Sequence, residues 1–121
     1  METNALLAKI LDTAAEFKAD DVKVLEISGL CDFTDYFVIM TGTSSVHIQS
    51  LAEELIYRCK HAGHRPDDVE GLTQGEWVLL DFGDIVVHVF NREKRNFYDL
   101  EGLWAEAPRV ALPADVSPAK A

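Results

Sequence analysis

The chain has 121 residues, the length of one ordinary domain, and its 48% hydrophobic and 26% charged residues are those of a globular protein. Its 21 acidic residues against 11 basic ones leave a formal charge of −10. That balance speaks against wrapping nucleic acid or coating an anionic membrane, because both need a basic surface, and it suits a basic partner. Two cysteines, Cys31 and Cys59, stand without CxxC spacing, which indicates a reducing compartment. No apolar run approaches the roughly 20 residues that span a bilayer, and the opening residues lack a signal-peptide pattern, so a cytoplasmic domain is expected.

Leu7, Ile10, Leu11, Ala14 and Phe17 recur at three- and four-residue spacings, which predicts a helix over 4–18 with Thr3 or Asn4 as its cap. Val22 to Ile27 reads as a strand, partly wet at Lys23 and Glu26. After a turn-rich bridge, Tyr36 to Met40 is the continuous apolar run of a central strand. The period then changes. Ile48, Leu51, Ala52, Leu55, Ile56, Cys59 and Ala62 make one helical stripe, capped by Thr43 or Ser44 and closed by Gly63. His64 to Val69 contains Pro66 and reads as loop or short edge strand.

Trp77 to Phe82 and Ile85 to Phe90 are apolar runs separated by Gly83-Asp84, a hairpin signal in which glycine supplies the positive φ of the turn. That turn puts Phe82 opposite Ile85 and Trp77 opposite Phe90. Alternation then writes out two faces: Val78, Leu80, Phe82, Ile85, Val87 and Val89 on an apolar core face, and Trp77, Leu79, Asp81, Val86, His88 and Phe90 on a mixed face available to a partner. Asn91 to Trp104 reads as one helix that begins with Arg92, Lys94 and Arg95. From Ala107 on, three of the four prolines fall among alanines, so 1–106 is expected to be the folded domain and 107–121 a tail. This order of elements implies a single-domain α/β fold with a mixed β-sheet and flanking helices.

Candidate chemistry is sparse. Cys59, His61 and His64 match no structural zinc pattern, and Asp81-Phe82-Gly83-Asp84 has the letters of a kinase metal motif in a chain too short for a kinase. Gly42-Thr43-Ser44-Ser45, between strand and helix, is where a phosphate could rest on helix N–H groups. Yet only Glu53 and Glu54 follow it at the distance where a nucleotidyltransferase places its metal-holding aspartates, and they lie within a helix. Phosphoryl transfer would lack a charge clamp. No Ser–His–Asp set can be assembled around His47 or His88. The expectation is no catalysis, no cofactor and no metal.

Thr34 to Ile39, Thr41 to His47, Glu70-Gly71 and above all WVLLDFGDIVVHVFNREKRNFYDLEGLW, from Trp77 to Trp104, together resemble the ribosomal silencing factor (RsfS/Iojap) family. The similarity covers roughly residues 5 to 105. One departure is Val46, where relatives often carry arginine. The resemblance implies a nucleotidyltransferase-like fold without the catalytic set. It also implies a non-enzymatic factor that binds the large ribosomal subunit through ribosomal protein L-fourteen, blocks docking of the small subunit and lowers translation when nutrients are scarce. A homodimer of the free protein is expected on the same ground, and sequence-specific nucleic-acid binding is not. Within the matching blocks, Trp77 and Tyr98 are the expected aromatic anchors, with Glu70, Asp81, His88, Arg95 and Asp99 as further partner contacts. The competing readings are a nucleotidyltransferase-like enzyme and an acidic adaptor for another basic protein.

Overall fold

Apolar spacing is converted into elements in chain order over residues 2–112, the part of the chain that the computed structural model describes. They are α1 (Glu2–Glu16), β1 (Asp20–Glu26), β2 (Tyr36–Thr41), α2 (Ser45–His61), β3 (Asp68–Glu70), β4 (Trp77–Asp81), β5 (Ile85–Phe90), α3 (Arg92–Tyr98) and α4 (Leu100–Leu103). The helix α1 starts two residues earlier than its stripe indicates. The cap of α2 is Ser44, whose hydroxyl accepts the His47 N–H at 3.0 Å. At the other end Gly63 has φ +95°, and the Gly63 and His64 N–H groups bond back to the Lys60 and Cys59 carbonyls, the closure expected of a left-handed glycine.

The five strands form one mixed sheet in the order β1-β2-β5-β4-β3. Strands β2 and β5 run parallel, joined through α2 and the β3–β4 segment, and the other pairs are antiparallel. The register of β4 on β5 is the one the Gly83-Asp84 turn dictates, with Trp77 opposite Phe90 and the Phe82 N–H on the Ile85 carbonyl at 2.9 Å. One face of the sheet carries Val22, Val24, Val38, Met40, Val78, Leu80, Val87 and Val89 and is buried under α1 and α2 through Leu6, Ile10, Ile48, Leu51 and Leu55. The other face carries Leu25, Phe37, Ile39, Val86 and Phe90, packed against Leu100, Trp104 and Ala107.

Three expectations are corrected. The final helix is not continuous: Asp99, at φ 49°, breaks it into α3 and α4, and the turn folds Leu100 and Trp104 onto the sheet. The mixed face is consequently a second core for most of its width; every residue of β5 is buried on both sides. Finally, the segment from Ala107 is not a free tail at its start. Ala107 is buried, Pro108 accepts the Glu26 N–H at 2.9 Å, and the Val110 N–H reaches the Val24 carbonyl at 2.9 Å. These bonds seal the outer edge of β1 and satisfy backbone groups that an open edge would leave bare. The rest of the expected tail, 113–121, lies outside the described residues.

Gly83 sits in the hairpin turn at φ +92°, so Gly83→Val should cost roughly 1–3 kcal/mol through backbone strain, read as a lower urea midpoint; an unchanged midpoint would reject the turn. Truncation after Ala107 removes the hydrogen bonds to Glu26 and Val24, and a thermal melt should show clear destabilisation.

Candidate functional site

The second face is built in cross-strand rows. Glu70 of β3, Leu79 of β4, His88 of β5 and Ile39 of β2 lie side by side, as do Asp68, Asp81, Val86 and Phe37, and Trp77 pairs with Phe90. Since neighbouring side chains on one face are within contact distance, this arrangement gathers aromatics at the centre and carboxylates at the β3–β4 margin.

Trp77 is the hinge of the aromatic group. It is half-buried, stacks on Phe90 at a centroid distance of 4.9 Å and meets Tyr98 of α3 at 4.6 Å. Its indole N–H donates to His88 Nδ1 at 3.1 Å. Phe97 stands edge-on to Tyr98, and on the far side Phe37 meets His88, Trp104 and Phe33. The result is a chain of rings from Phe97 to Phe33 whose two ends are open: Phe97 is 77% exposed, Phe33 67% and Tyr98 45%. The acidic margin consists of Asp67, Asp68 and Glu70, all exposed, and half-buried Asp81. Asp68, by hydrogen bond and by charge, raises the Glu70 carboxyl above its ordinary value. That repulsion would be relieved by an incoming cation.

Structure therefore brings Trp77, His88 and Tyr98 together and sets Glu70 and Asp81 beside them, but it does not leave all seven expected residues free for a partner. His88 and Arg95 are 4% and 3% exposed and support the face from within. The Arg95 guanidinium holds Glu101 with two bonds (3.2 and 2.7 Å), the Asp21 carbonyl at 2.7 Å and the Thr41 hydroxyl at 2.8 Å. Burial works to raise the nearby Asp21 carboxyl, but the Lys23 bond, the Arg95 and Lys23 charges and the Arg92 bond hold it below its ordinary value. Asp99 is exposed but shapes the chain: its carboxylate accepts the Gly102 N–H that starts α4. Phe33, Leu103, Glu76 and Lys94 belong to the exposed surroundings of this face and were not singled out by sequence. No local pattern signals them, because they come together only through the fold.

The other candidate centres have local roles. At the Gly42 turn the Thr43 N–H donates to His47 Nδ1 at 2.9 Å and Ser44 caps α2, so the chain's own side chains occupy the groups a phosphate would use. His47 Nε2 donates in turn to the Phe17 carbonyl at 2.8 Å, tying α2 to the end of α1. Cys59 is fully buried with its thiol pushed up to about 11 by burial, and His64 follows the glycine closure of α2. Among the described residues no group of three His, Cys, Asp or Glu side chains converges as a metal site, and no helix is long and apolar enough to cross a membrane.

Because Nδ1 of His88 accepts the indole N–H, its ring is the neutral Nε2–H tautomer, and burial lowers its pKa to about 4. Between that value and the ordinary 6.5, the unfolded chain binds a proton that the folded chain refuses. Stability is then lost as pH falls through this window, by about 3 kcal/mol over its full width. Urea titrations at pH 7 and pH 5 should show this slope, and His88→Phe should flatten it.

The whole chain, residues 1–121, matches the family model described as ribosomal silencing factor during starvation, RsfS. It is 37% identical over 117 residues to the ribosomal silencing factor RsfS of Halalkalibacterium halodurans, covering 97% of this chain and all of that one. It is also 37% identical over 89 residues to a mouse protein named mitochondrial assembly of ribosomal large subunit protein 1, covering 71% of this chain and 39% of that one. A crystal structure of a Chromobacterium violaceum protein superposes with a TM-score of 0.84 at 33% identity, over 94% of this chain and 96% of that one. With its mixed sheet, its covered second face and a match along its full length, the chain belongs to the RsfS family of ribosomal silencing factors.

Proposed function

We propose that this protein binds the large ribosomal subunit through ribosomal protein L-fourteen and acts by obstruction: while bound, it occupies the docking surface of the small subunit, and translation falls under nutrient limitation. The observation that carries the reading is the second face, which has the exposed rings of Tyr98 and Phe97 at one end of its aromatic chain and the carboxylates of Asp68, Glu70 and Asp81 along its β3–β4 margin. Ring surface supplies short-range energy at interfaces, and an acidic rim steers a basic protein in while repelling bare RNA. No step of this mechanism needs catalysis; its effect is stoichiometric. A homodimer of the free protein, in the cytoplasm, belongs to the same proposal.

Tyr98 and Trp77 contribute differently. Tyr98 is exposed and serves as the direct anchor, whereas Trp77, held by Phe90 and His88, keeps Tyr98 in place and carries part of the fold. Tyr98→Ala should cost about 1–3 kcal/mol of binding with little loss of stability; Trp77→Ala should lower both. The test is a subunit-joining assay read by sedimentation. Factor added before the small subunit should suppress the joined peak in proportion to occupancy, and folded Tyr98→Ala should not. Full joining at saturating factor rejects the mechanism.

A further inference from the structure

A small cleft opens where the loop after β3 passes α3, with a volume of about 210 Å³ and a lining of Gly71, Gln74, Glu76, Trp77, Lys94 and Tyr98. Cofactor and drug-sized sites run to about 300–1,000 Å³, so this space fits one side chain rather than a small-molecule ligand. It is a built feature. Gly71 has φ +82°, and a Cβ there would run into the Trp77 carbonyl, so the loop lies directly on the strand. Trp77 is fixed from behind by Phe90 and His88, and Tyr98 is held between Trp77 and Phe97.

The chemistry of the walls selects the occupant. Two electron-rich rings and the Glu76 carboxylate face one space, and the faces of such rings attract cations. Among the described residues the one cation over a ring is Arg58 at Phe17, far along the chain, so Tyr98 and Trp77 carry none. Glu76 is 56% exposed and its ion pair with Lys94 is long, at 3.8 Å; an exposed pair of that kind holds its partner weakly. Replacing Lys94 by a better-placed cation therefore sacrifices little. A planar guanidinium can lie along a ring while its edge meets a carboxylate, which an ammonium cannot do. Resting on the large-subunit reading above, we propose that this cleft receives one arginine side chain of the ribosomal partner, its guanidinium taking the place of Lys94 at Glu76 and its stem lying on Tyr98.

The two rim charges give opposite signatures. Equilibrium binding of purified large subunits to the full chain should weaken about tenfold for Glu76→Gln and tighten about threefold for Lys94→Gln, which removes the competitor. Glu93→Gln, an exposed acid of α3 outside the cleft, controls for net charge and should change affinity less than twofold. Tyr98→Leu, which removes the ring, should weaken binding, with thermal melts confirming that each variant is folded. Weaker binding of Lys94→Gln would mean an anionic occupant and overturn the proposal. Equal losses for Glu76→Gln and Glu93→Gln would reduce it to general charge and also overturn it. If the unaltered chain fails to bind the large subunit, this inference falls together with the reading it rests on; normal binding with unresponsive rim variants rejects the cleft alone.

Discussion

A single buried guanidinium organises the half of the molecule that faces outward. Four of the five N–H donors of Arg95 are used at once, on Glu101, the Asp21 carbonyl and the Thr41 hydroxyl. Those partners come from α4, from the start of β1 and from the end of β2, so one side chain of α3 ties α4 to the first two strands. A buried charge is tolerable only when it is paired and its donors are filled, and here the left-handed Asp21, at φ 50°, turns its carbonyl toward the arginine. The position of α3 and α4, and hence of the Phe97, Tyr98 and Trp104 rings that border the second face, follows from this arrangement.

The two faces of the sheet then have different duties. The face beneath α1 and α2 is a continuous aliphatic core, closed by helices whose stripes match it. The other is closed more thinly, by two short helices, a loop and the segment at Ala107, and it keeps aromatic surface at its borders. Aliphatic packing gives stability without direction. Rings joined through the indole bond of Trp77 to His88 have a fixed orientation, and fixed rings lose less entropy on meeting a partner than mobile ones would.

Much of this was legible in the sequence because it rests on local signals. The Gly83-Asp84 turn set the hairpin register, and the stripe from Ile48 to Cys59 with its Gly63 stop marked α2. The apolar face from Val78 to Val89 followed from alternation alone. What was not legible depended on partners remote in the chain. Arg95 looks like a surface base until Asp21, Thr41 and Glu101 are brought around it, and His88 looks available until Trp77 and Phe37 close over it. Asp99 reads as one more helical residue, because Leu100 and Trp104 continue the apolar helical spacing on its far side. Pro108 to Val110 read as a tail because composition cannot reveal an edge pairing with β1. Of the candidate site, Trp77 and Tyr98 were visible as aromatics in a matching block, but the cleft between them was not, since Gly71 and Glu76 reach it only through the fold.

The strand order also has a consequence for how the chain comes off the ribosome. The inner strand β5 is the last of the five strands in chain order, and β2 has no parallel neighbour until residues 85–90 arrive. An emerging chain thus holds α1, β1, β2 and α2 with their apolar surfaces uncovered, a condition that favours aggregation or chaperone capture. Insertion of β5 joins the early and late parts of the chain. The outer margin of β1 closes later still, when Pro108 to Val110 leave the exit tunnel. Vectorial synthesis therefore yields a finished sheet only once residues 85–110 have emerged, and a chain that stalls before residue 85 lacks the strand on which both cores converge.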